Sequence, residues 1–65
     1  MEMGVISACS SGGGTITRSG NLDIRFYADR IVGRDRKGLN QGDQVWFEVE
    51  NANSNLVAIN IRKCH

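Results

Sequence analysis

The side chains able to do covalent or acid–base chemistry in this 65-residue chain are few: Cys9, Cys64, His65, the hydroxyls of Ser10, Ser11, Thr15 and Thr17, and the carboxylates Asp29 and Asp35. A hydroxyl nucleophile needs a base within hydrogen-bond reach. The single histidine is the last residue, where a frayed, solvent-exposed position is expected, so it serves no hydroxyl as a base. Asp29 and Asp35 stand in a basic stretch and make a poor acid–base pair. A zinc site needs about four ligands, and Cys9, Cys64 and His65 show none of the paired spacings of such sites. Gly12-Gly13-Gly14 lacks the lysine and the following helix of a phosphate loop. The chain is therefore expected not to be an enzyme and to have no metal, no cofactor and no small-molecule substrate.

Binding chemistry is better represented. Eight Lys and Arg against seven Asp and Glu give a net charge of +1, which does not support strong global attraction to nucleic acid or membrane. Locally, Arg30, Arg34, Arg36 and Lys37 crowd together with Asp29 and Asp35, whereas Asp43, Glu48 and Glu50 make the next stretch acidic. The basic cluster reads either as a phosphate or partner contact or as a solvated loop. Two cysteines near opposite ends cannot build a disulfide framework, so both are expected as reduced thiols. No apolar run approaches the roughly 18 residues of a membrane helix, and Met1-Glu2-Met3-Gly4 lacks a signal-peptide start. The expected compartment is the cytoplasm.

The elements that must position these groups are strands. Period-two alternation recurs between clusters of Gly, Asn, Asp and Ser. Val45-Trp46-Phe47-Glu48-Val49-Glu50 places Val45, Phe47 and Val49 on one face and Trp46 on the other. In the same way 57–62 turns Val57, Ile59 and Ile61 inward, and 22–27 turns Leu22, Ile24 and Phe26 inward with Arg25 and Tyr27 outward. Shorter β-branched segments, 4–8 and 15–18, add two strands. Ser10-Ser11-Gly12-Gly13-Gly14 predicts a bend or a close backbone approach, Ser19-Gly20-Asn21 a hairpin turn, and 51–55 another loop. Residues 28–32 suggest a helical turn with Ile31 plugging the core. Five strands in one short domain, 1–65, leave open edges unless they close. The expected fold is all-β, a five-stranded antiparallel OB-fold-like barrel with Ile24, Phe26, Val45, Phe47 and Ile59 in its core.

The order of residues resembles the bacterial cold-shock proteins, five-stranded OB-fold barrels that bind single-stranded DNA and RNA. The resemblance runs through Gly4-Val5-Ile6, Gly12-Gly13-Gly14-Thr15-Ile16-Thr17, the stretch Asp23 to Ile31, Leu39 to Val49, and Ala58-Ile59-Asn60-Ile61. Ile6, Ile16, Ile24, Phe26, Ile31, Val45, Phe47, Val49 and Ile59 fall where that family keeps core residues. Its base-stacking surface is largely absent. The first ribonucleoprotein-like motif reads Ser11-Gly12-Gly13-Gly14-Thr15-Ile16, without either aromatic. Ala8 and Cys9 replace the aromatic pair that ends the first strand, and the second motif offers Arg25, Tyr27 and Ala28.

Stacking contributes about 1–3 kcal/mol per base, so the resemblance implies weak, sequence-tolerant binding of single-stranded RNA or DNA. Tyr27 would stack on a base and Arg25 would stack or contact phosphate. Arg18, Arg30, Arg34, Arg36 and Lys37 would supply phosphate contacts. The competing reading is a barrel turned to protein interaction, with outward Trp46 as anchor and another protein or a second copy of the chain as partner.

Overall fold

The computed structural model describes residues 1–64 and, of Arg34, the backbone only. His65, expected to be solvent-exposed, and the side chain of Arg34, expected to contact phosphate, lie outside the described residues. The chain forms β1 (Glu2–Ser10), β2 (Gly13–Arg18), β3 (Ile24–Tyr27), two single 3-10 turns (Ala28–Arg30 and Gly33–Asp35), β4 (Gln44–Ala52) and β5 (Asn55–Lys63). The strands close into a barrel in the order β1-β2-β3-β5-β4, and β4 pairs back onto β1. The fold is the expected five-stranded OB-like barrel, with one correction. Four of its seams are antiparallel, but β3 runs parallel to β5 through Arg25↔Val57 and Phe26↔Ala58. The chain between these two strands, 28–54, includes β4 and its hairpin and so can bring β5 back beside β3 in the same direction, whereas a tight hairpin cannot join a parallel pair.

Alternation fills the interior. Ile6, Ile16, Ile24, Phe26, Ile31, Leu39, Val45, Phe47, Ala58 and Ile61 form one buried cluster, with Val49 packed against it. Ile31 enters this core just after the first 3-10 turn, as expected for a plug, and its backbone bridges to Ile61.

Three inward assignments are corrected. Val57 and Ile59 are only half-buried and Ala58 is buried in their place, while Ile61 is buried as expected. The cause is a β-bulge: Trp46 faces Arg62 and Glu48 faces Ile59, so two residues of β5, Asn60 and Ile61, oppose Phe47 alone. Asn60 takes the extra step with φ 52° and donates from Nδ2 to the Glu48 carboxylate at 2.8 Å. A bulge shifts the inward phase by one residue. Leu22, also expected inward, is 85% exposed because β3 begins only at Ile24.

Backbone contacts explain the glycine run. Gly13 has φ 141°, and a Cβ there would collide with the Phe26 carbonyl oxygen; a Cβ on Gly14 would collide with that of Ala8. The bend at Ser11 and Gly12 thus lets β2 pass close to both neighbours. Three polar devices hold the 33–43 connection. The Asp35 carboxylate accepts the Lys63 N–H at 2.9 Å, the Asp43 carboxylate accepts the Asn40 N–H at 2.8 Å, and Lys63 Nζ lies 3.6 Å from Asp43.

Candidate nucleic-acid interface

The outward face of β2 and β3 is shaped by the same pleat that fills the core. Thr15 lies opposite Arg25, and Gly13 lies opposite Tyr27. Gly13 and Gly14 line a groove beside Arg25 and Tyr27. Tyr27 is 48% exposed. It borders three grooves: one with Ser10, Gly12, Gly13, Gly14, Thr15, Arg25 and Phe26, a second with Gly12, Ala28, Asp29 and Arg30, and a third of about 410 Å³ with Asp23, Arg25, Asn55, Leu56 and Val57. The tyrosine ring is the shared wall between them, flanked by one guanidinium on its own strand and another just beyond it.

The expected contact residues divide accordingly. Arg25, Tyr27 and Arg30 share this surface and are exposed. Arg18 does not reach it. It stands at the far end of β2 opposite Gly4, its Nε donates to the Leu22 carbonyl at 2.9 Å, and its Nη1 lies 3.7 Å from Glu2, leaving the side chain 12% exposed. Its guanidinium closes the 18–22 turn instead. Arg36 and Lys37 are exposed beyond the second 3-10 turn and border none of the three grooves around Tyr27. Arg36 Nη2 also donates to the Ile31 carbonyl at 3.5 Å.

Leu56, 51% exposed, and Asn55 were missing from the expected set. They join the surface only because β5 runs parallel beside β3, a pairing that local alternation does not encode. The only signal was the position of Leu56 after the 51–55 loop. Asp23 brings a negative charge to the same groove as Arg25 and moderates its attraction for phosphate.

No protein-family model matches this chain, and no curated protein is similar enough to count as a relative. The functional reading therefore rests on the surface itself. Among the described residues no cluster of three or more His, Cys, Asp or Glu has the geometry of a metal site. Cys9 and Cys64 are free thiols; Cys9 Sγ is exposed and donates to the Leu39 carbonyl at 3.6 Å. No helix among the described residues is long and apolar enough to cross a membrane. Trp46 is outward as alternation requires, at 36% exposure on β4.

Proposed function

We propose that the protein binds single-stranded RNA or DNA weakly and with little sequence preference, as a cytoplasmic, non-catalytic, cold-shock-like barrel. The observation that carries this reading is Tyr27, an exposed aromatic at the meeting of three grooves with Arg25 and Arg30 beside it. Bases of any identity stack on an aromatic face, and guanidinium groups serve both as stacking planes and as phosphate ligands. The face formed by strands 2 and 3, with the adjoining 1–2 and 4–5 loops, is where OB-fold barrels hold oligonucleotides. Here Gly12 of the 1–2 loop and the strand ends next to those loops, Ser10 of β1 and Asn55 of β5, line the grooves around Tyr27. The resemblance to cold-shock proteins read from the sequence implies the same function.

One stacking platform in place of several implies affinities in the high-micromolar range at low salt. The test is a fluorescence-anisotropy titration of labelled oligo-dT, oligo-U and a mixed RNA. Binding to all three within about tenfold is expected, with Tyr27→Ala weakening each by about 5- to 100-fold, the equivalent of one stacked base. Absence of binding at millimolar protein in low salt, or indifference to Tyr27→Ala, would reject the assignment.

A further inference from the structure

Seven large apolar side chains are exposed among the described residues, and four of them, Met1, Met3, Val5 and Trp46, lie on or beside the outer faces of β1 and β4. This seam is on the far side of the barrel from β3, which sits between β2 and β5 in the ring. The ring is closed there by Glu2↔Phe47 through Val5↔Gln44, so these four pairs offer no strand edge for β-addition, although β4 beyond Phe47 pairs with β5 alone. Whatever covers the seam must do so side chain to side chain.

The charges around Trp46 identify the occupant. Trp46 lies between Met3 on β1 and Arg62 on β5 in one cross-strand row, while Glu48 follows two residues along β4. Arg62 is exposed and has no ion-pair partner among the described residues. Glu48 is also exposed and accepts one hydrogen bond from Asn60; a carboxylate has room for an arginine besides. Arg62 thus stands about 4.8 Å from Trp46 across the sheet, and Glu48 about 6.8 Å along it.

We propose that this face is a symmetric homodimer interface centred on Trp46, with Arg62 of each protomer against Glu48 of the other. A twofold axis lying between the two sheets and bisecting the angle between these directions exchanges row and column. It sets Trp46 on its own counterpart, Val5 near its counterpart, Met3 over the Gln44 stem and Arg62 on Glu48, twice. Strands of the two copies then cross at about 90°, one of the two preferred sheet packings. The patch carries both members of the ion pair and an aromatic centre, so it is complementary to itself as an isologous contact requires. A convex barrel face covers little area, which makes the dimer a weak one.

Sedimentation velocity on nuclease-treated protein, from about 10 μM to 1 mM, should give a reversible monomer–dimer equilibrium in the range expected of small interfaces. Arg62→Glu and Glu48→Arg should each weaken self-association about tenfold or more, since each places like charges together twice. Mixing the two variants 1:1 should restore dimerisation, because the heterodimer regains both pairs. Changes within one chain cannot produce that rescue. Val5→Glu and Val5→Lys, alone and mixed, form a second pair should either charge reversal fail to fold by circular dichroism. Wild-type protein that remains monomeric at 1 mM overturns the proposal and leaves the face to a different polypeptide. Folded variants that stay monomeric on mixing overturn it as well.

Discussion

Gly13 shows how a single residue can be scaffold and site at once. Its φ of 141° and the Phe26 carbonyl beside it exclude any Cβ, and the same residue lines the groove next to Tyr27. Gly13→Ala should destabilise the fold by at least about 2 kcal/mol, because the substitution adds strain and a backbone clash together. Gly12 is the control: it is exposed, a Cβ there meets nothing within 4 Å, and Gly12→Ala should change stability by no more than about 0.5 kcal/mol. Urea unfolding of both variants checks the contrast; equal effects would mean that the tight approach at Gly13 is absent. At this scale the site was partly legible in advance. The outward directions of Arg25, Tyr27 and Trp46 follow from alternation alone. The engagement of Arg18 with Leu22 and Glu2 does not, because it depends on a turn and a neighbouring strand that local pattern leaves unspecified.

The strands show which features of an element local pattern can carry. In β4, Val45 and Phe47 are buried as alternation predicts, since each lies on an uninterrupted pleat. The fifth strand departs from it at Asn60, where one added residue leaves Ile61 inward as expected but puts Ala58, not Val57 or Ile59, in the core. Nothing in the apolar run 57–61 marks that bulge except an asparagine, one of the few residues that enter the left-handed region readily. The hairpin between β4 and β5 has only two turn residues, Asn53 and Ser54, both at positive φ (51° and 68°). Such a turn favours Asn-Gly, so serine is the poorer half of the pair. Ser54→Gly should raise stability by about 0.5–1 kcal/mol, the left-handed cost of serine less the entropy cost of glycine. In a domain this small the gain corresponds to a rise in Tm of several degrees, roughly 3–8 °C. A lowered Tm in thermal unfolding would contradict the turn geometry. Asn60→Val should act oppositely and lower stability by about 1–2 kcal/mol, since a β-branched residue is held there at φ 52°.

At the scale of the whole molecule the closed ring supplies both stability and separation of surfaces. A chain of this length has about 3–10 kcal/mol of total stability, and Phe47 is fully buried in the single core. Phe47→Ala should remove about 3–5 kcal/mol and leave a measurable unfolded population in the absence of denaturant. The same closure places the β3 face and the β1–β4 seam on opposite sides of a body measuring 29 × 23 × 20 Å. The Debye length at 0.1 M salt is about 10 Å, so charges on one side have little effect on the other. Two barrels joined at their seams would direct their Tyr27 surfaces away from each other, and one short oligonucleotide could not span both. Multivalent gain depends on simultaneous engagement, which this arrangement denies to short strands. Labelled oligo-dT of about six nucleotides, long enough for one OB-type site, should therefore bind wild-type protein and the Arg62→Glu variant with Kd values equal within about twofold. Tyr27→Ala should lose that binding while sedimenting as wild type does. Tighter binding of the short strand by the dimer would place the two surfaces on one side and contradict the ring order as the basis of their separation.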